Sequence, residues 1–120
     1  MTIRAIIVDD NQDVRELLTF LVLEAGAEVV DAVADGLTAL AVLTTGPVDL
    51  VVTDYQMPGM DGIALARHVL QQYPETTVVL VTGLITPDRK QAALDVGIRH
   101  VLMKPVRLET MARLVTNLFP

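Results

Sequence analysis

The sequence predicts an α/β fold, one doubly wound sheet of five parallel strands with helices on both faces. Three observations predict it. Five short apolar runs, at 3–8, 28–33, 48–53, 77–82 and 100–104, alternate with longer segments of helical character. Helix punctuation falls in the gaps between them. The composition, 52% hydrophobic but only 3% aromatic, suits buried parallel strands of Val, Ile, Leu and Ala. Strand–helix alternation with right-handed crossovers gives this architecture.

The elements follow in order. The first run, Ile3 to Val8, stops at Asp9-Asp10 and precedes a helix starting near residue 12. In that helix Val14, Leu18, Leu21 and Ala25 share a face at helical spacing, and Leu17 and Phe20 extend beyond it. Gly26, Gly46 and Gly97 each follow a helical stretch, where a left-handed residue closes the last turn. The second run, Glu28 to Val33, ends on no reactive group, and Asp35 is positioned to cap the helix after it. The third run, Val48 to Thr53, stops at Asp54. Pro58-Gly59 then make a turn, with Met57 and Met60 beneath it and Asp61 as the next cap. The fourth run ends at Thr82. Thr86-Pro87-Asp88 starts a helix, with Thr86 as N-cap, Pro87 at the first position and an acid at the positive end. The fifth run ends at Lys104-Pro105, and Leu108, Met111, Leu114, Val115 and Leu118 form the apolar stripe of a last helix.

At 120 residues the length suits one domain, 1–120, able to bury a core without staples. Nine basic against fifteen acidic residues give a net charge of −6, and no basic cluster is present for direct nucleic-acid binding. The absence of cysteine excludes disulfides and thiolate metal sites. Acids at 9, 10, 13 and 16 leave no secretory signal, and no apolar stretch approaches the ~20 residues of a membrane span. The expectation is a soluble cytoplasmic domain.

Four of the runs end on groups suited to phosphoryl chemistry. Neighbouring parallel strands would bring those ends to one sheet edge, where open α/β sheets hold their ligands. In the order 2-1-3-4-5, Asp9-Asp10 and Asp54 flank the switch point, and the unreactive second strand lies at the edge. Mg²⁺ takes hard oxygen ligands, one or two of them carboxylates. Asp10 and Asp54 could bind it directly and Asp9 through a water. Asp54 beside a cation could act as a nucleophile and yield an acyl phosphate. Thr82 could donate its hydroxyl to a phosphoryl oxygen, and Lys104 could serve as a point charge, aimed inward by a cis Lys-Pro bond. Each residue also has an ordinary reading: Asp9, Asp10 or Asn11 as a helix cap, Thr82 as strand propensity, Lys104 as a solvated cation. Their order along the chain makes the set specific.

With Asp9-Asp10, Asp54, the run Met57-Pro58-Gly59-Met60-Asp61-Gly62, Thr82-Gly83 and Lys104-Pro105 in view, the whole chain resembles the receiver domain of two-component response regulators. The resemblance implies a flavodoxin-like (βα)5 fold and a phosphoacceptor switch that is not a turnover enzyme. Asp54 would take phosphate from a phosphohistidine of a sensor histidine kinase or phosphotransfer protein. Asp10, Asp54 and the Gln56 carbonyl would bind Mg²⁺, with Asp9 acting through water; Thr82 would sense the phosphoryl group and Lys104 would hold it. The first helix would dock the kinase, which makes Val14, Leu17 and Phe20 candidate contacts, and receivers also pair as homodimers. Gln56 and Leu84 occupy positions that tune phosphoryl loss. Leu84 offers no polar atom to orient water, which predicts a persistent phosphoryl state.

Two residues depart from the family pattern. Val101 stands where an aromatic is usual, and Val106 where Phe often follows Lys-Pro; both bear on how the signal leaves the site. The competing classes are an unphosphorylated pseudo-receiver, which Val101 favours weakly, and a phosphoaspartate hydrolase. The latter's Asp-x-Asp pattern is not met by Asp9-Asp10-Asn11. His68 and His100 have no metal-ligand or triad partner in sequence. With nothing after Lys104 long enough for more than a final helix, the expectation is either a single-domain regulator acting by protein contact, which Met1-Thr2 fits as a start, or the N-terminal piece of a longer regulator, which the terminal Pro120 fits and slightly favours.

Overall fold

The computed structural model describes residues 2–120. Five strands, β1 (Arg4–Val8), β2 (Glu28–Val33), β3 (Leu50–Asp54), β4 (Thr77–Thr82) and β5 (His100–Met103), form one parallel sheet in the order β2-β1-β3-β4-β5. Five helices connect and follow them: α1 (Gln12–Glu24), α2 (Gly36–Leu43), α3 (Gly62–Gln72), α4 (Pro87–Val96) and α5 (Leu108–Leu118). The expected doubly wound α/β sheet is therefore the fold observed.

Alternation along the central strands builds two cores. Ile6, Val8, Val51, Val78 and Leu80 face one side and pack with residues of α2, α3 and α4. Ala5, Ile7, Leu50, Val52, Val79 and Val81 face the other and pack with α1 and α5. Both faces being covered explains the near-continuous apolar runs. Each fully buried Leu or Ile contributes about 1.5–3 kcal/mol relative to exposure, so these strands dominate the stability and hold their carboxyl ends fixed.

The caps follow sequence chemistry. Asn11, Asp35, Asp61 and Thr86 accept from the backbone N–H of Val14, Thr38, Ala64 and Arg89. Asn11 is thus the cap of α1, which frees Asp9 and Asp10 from that role. Gly26 and Gly97 are left-handed, with φ of 97° and 104°.

Several expectations need correction. Gly46 is not left-handed; Thr44 caps α2 in a right-handed conformation, and the Thr44 and Thr45 hydroxyls donate to Ala41 O and Val42 O at 2.7 Å. Those bonds satisfy the last carbonyls without a glycine. The third strand starts at Leu50 rather than Val48, whose carbonyl accepts from the Thr76 hydroxyl at 2.8 Å, and it includes Asp54, paired with Val81, as its last residue. In α5 the core takes Met111 and Val115, while Leu108 is 42% exposed at the start of the helix. In α1 the buried residues are Leu18, Leu21 and Val22; Val14 and Ala25 are half-buried against the same core.

Candidate functional site

Register places the site. Val8 pairs with Thr53, so the residues one step on, Asp9 and Asp54, emerge side by side at the carboxyl edge. Asp54 pairs with Val81 and Thr82 with Met103, so Thr82 and Lys104 follow at the same edge. Backbone bonds carry the ladder past the strand ends. Tyr55 N–H donates to Val81 O at 3.1 Å and Lys104 N–H to Thr82 O at 2.8 Å.

Asp9, Asp10 and Asp54 each bring a carboxylate oxygen into a group whose members lie within 4.8 Å of one another. Asp9 is fully buried, Asp54 is 7% exposed and Asp10 is open to solvent. Lys104 Nζ lies 3.0 Å from Asp54 Oδ1 and 3.3 Å from Asp9 Oδ2, bridging the two buried acids. Asp9 Oδ1 accepts from Asn11 N–H at 2.9 Å, and Arg15 holds the Asp9 carbonyl at 2.7 Å. The Lys104–Pro105 bond is cis.

The electrostatics follow from burial and like charge. Burial, assisted by the neighbouring Asp9 charge, raises the Asp54 pKa above the ordinary carboxylate value, against the opposing pull of Lys104 and the Tyr55 N–H. Burial works to lower the Lys104 pKa, but the Asp54 and Asp9 carboxylates outweigh it and hold the ammonium above its usual value. Three hard-oxygen donors with only Lys104 as a cation among them, of the described residues, fit a small divalent ion, which prefers such ligands.

Thr82 is buried at the strand end, but its hydroxyl donates to Leu84 O at 2.9 Å. In this state the hydroxyl serves its own loop and leaves Asp54 to Lys104. Gln56 is exposed and lines a cleft of about 430 Å³ with Asp10, Tyr55, Asp61 and Arg89.

Sequence reasoning gave no role to two contributors. Gly62 opens α3 directly against the Asp54 carbonyl: a Cβ there would clash with that carbonyl and with Leu80. Its N–H donates to Tyr55 O at 2.8 Å, tying α3 to the residue after Asp54. Arg89 lies over the Tyr55 ring, 4.9 Å from its centroid, at the rim of the cleft. A cation in the first turn of a helix runs against the macrodipole, and that was the available signal.

Residues 5–116 match the family described as response regulator receiver domain. The chain belongs to that family. This receiver is 30% identical over 118 residues to chemotaxis protein CheY-3 of Vibrio cholerae, covering 97% of this chain and 91% of that protein. It is 34% identical over 116 residues to the cyclic di-GMP phosphodiesterase response regulator RpfG of Xanthomonas campestris pv. campestris. That match covers 94% of this chain but only 31% of RpfG, so the receiver spans under a third of that relative. The solved structure of Vibrio cholerae chemotaxis protein CheY4 superposes with a TM-score of 0.91 at 30% identity, covering 99% of this chain and 100% of that one. Receivers are signalling domains of two-component systems. Among the described residues no helix of this receiver is long and apolar enough to cross a membrane.

Proposed function

We infer that this receiver is a phosphoacceptor switch in which Asp54 takes a phosphoryl group from a phosphohistidine of a sensor kinase or phosphotransfer protein. The observation that carries the reading is the Lys104 ammonium 3.0 Å from the Asp54 carboxylate, inside a cluster of three acids. An Asp54 oxygen attacks phosphorus as the bond to the donor breaks, and the donor leaves with the electron pair. Asp10, Asp54 and the Gln56 carbonyl would hold Mg²⁺, with Asp9 acting through water; when bound it offsets charge on the phosphoryl oxygens. Lys104 stays with Asp9 and Asp54 and receives a phosphoryl oxygen as the transferred charge builds. Thr82 exchanges its bond to Leu84 O for one to the phosphoryl group, releasing the segment that begins at Gly83.

Incubation with Mg²⁺ and a small acyl phosphate tests the reading. A single adduct that vanishes in Asp54→Ala supports it. A chain that takes no label under these conditions is a pseudo-receiver, and repeated turnover on phosphate esters marks a hydrolase.

Leu17 and Phe20, 44% and 52% exposed on α1, are the apolar side chains offered to a kinase or phosphotransfer helix. Val14 is half-buried and contributes at the margin of that surface. Leu17→Ala should slow transfer from the kinase and leave labelling by a small donor unchanged; equal slowing of both sinks the docking role. Size measurement before and after phosphorylation reads out a receiver homodimer.

A further inference from the structure

We propose that Arg89 sets phosphodonor preference by binding the anionic leaving group of acyl phosphates. The inference rests on the phosphoacceptor reading of Asp54 and adds to it a residue outside the strand-end set.

Asp54 is nearly buried, and Lys104 occupies one flank of its carboxylate at 3.0 Å. The open cleft lined by Asp10, Tyr55, Gln56 and Arg89 adjoins this site through Asp10, whose carboxylate lies within 4.8 Å of that of Asp54, and it offers a donor its approach. Phosphoryl transfer is roughly in line, so the leaving atom points away from the attacking Asp54 oxygen and out toward the rim. Arg89 is the cation of that rim; its cleft neighbours of like size in charge, Asp10 and Asp61, are both anionic. Arg89 is half-buried, its guanidinium lies over the Tyr55 ring, and it forms no salt bridge among the described residues. Its position in the first turn of α4 gives it no help from the helix dipole. A cation left unpaired and fixed in orientation by an aromatic face is suited to a visiting carboxylate, which it can bind bidentately.

The chemistry makes the role specific. When Asp54 attacks an acyl phosphate, the P–O bond to the acyl group breaks and the electron pair leaves on a carboxylate, so negative charge grows at the rim. When it attacks phosphoramidate, the P–N bond breaks and neutral ammonia leaves. Arg89 stabilises the first transition state and gives nothing to the second.

The test compares the full chain with Arg89→Gln and Arg89→Lys, using acetyl phosphate and phosphoramidate as donors in Mg²⁺. Arg89→Gln should lower the acetyl phosphate rate about fivefold, as expected for one screened charge, and leave the phosphoramidate rate unchanged or raised. Arg89→Lys should recover only part of the loss, since it restores the charge but not the bidentate fork, and added salt should slow the parent on acetyl phosphate more than it slows Arg89→Gln. Equal slowing on both donors, or an unchanged acetyl phosphate rate, overturns the proposal while leaving Asp54 as phosphoacceptor. A parent chain labelled by neither donor overturns the phosphoacceptor reading and this proposal with it.

Discussion

The Lys104 ammonium sits 3.0 Å from Asp54 Oδ1 in a site with three carboxylates and, among the described residues, no second cation paired with them. Lysine and a divalent ion therefore compete for the same negative charge. Lys104→Met should bind Mg²⁺ several-fold more tightly, by loss of one nearby positive charge, as read by titration. Phosphoryl uptake should fall about tenfold or more, because the charge developing on the phosphoryl oxygens loses a fixed partner. Tighter metal binding together with slower transfer is the signature; weaker metal binding refutes the competition.

The raised Asp54 pKa has a definite sign for stability. The folded state holds this proton more firmly than the unfolded chain does. Its stabilising contribution is full below the unfolded carboxylate pKa and is lost as pH rises through the folded value. At neutral pH the ionised group is therefore a burden, and Asp54→Asn should melt a few degrees higher than the parent in metal-free buffer. The gap should close on acidification. Thermal melts of the parent and Asp54→Asn across pH in metal-free buffer check both statements.

Mg²⁺ should raise the melting temperature, since the acids meet only in the folded chain. At a concentration about 100 times Kd the linkage is worth about 2.7 kcal/mol. Asp10 is exposed and caps no helix, so Asp10→Ala should cost under about 0.5 kcal/mol in metal-free buffer and abolish most of the Mg²⁺-dependent rise. Calorimetry with and without Mg²⁺ separates the two effects.

Leu84 is 72% exposed and presents no side-chain polar atom beside the site. The phosphoryl state should persist in the isolated protein, and Leu84→Glu or Leu84→Asn should shorten it by orienting an attacking water. Rapid loss of label in the parent, with neither variant faster, would falsify this expectation.

Gly62 is required by close approach, since its absent Cβ leaves room for the Asp54 carbonyl and Leu80. Gly62→Ala should destabilise by about 1–3 kcal/mol through overpacking and slow phosphoryl uptake by displacing Asp54. Leu80→Ala, in the same fully buried layer, should cost about 2–5 kcal/mol with a smaller effect on uptake per unit of stability lost. Denaturant unfolding and uptake rates on both variants make the comparison.

The sequence by itself determined the strands, their order of chemistry and the fold. Alternating apolar runs with Asp9-Asp10, Asp54, Thr82 and Lys104 at their ends leave little freedom once strands must be buried and crossovers right-handed. Local caps such as Asp35, Asp61 and Thr86 were legible because the bond each makes spans only three residues. What only the tertiary structure decided lies in contacts between distant segments. Lys104 meets Asp9 and Asp54 because three registers, β1 with β3, β3 with β4 and β4 with β5, add up across the sheet. Gly62 presses on the Asp54 carbonyl, and Arg89 from α4 covers the Tyr55 ring. The apolar stripe of α5 keeps Met111 and Val115 and releases Leu108, because burial depends on how helices sit on the sheet. Periodicity records which residues want to be inside; packing and electrostatics across elements settle which of them get there and what their neighbours are.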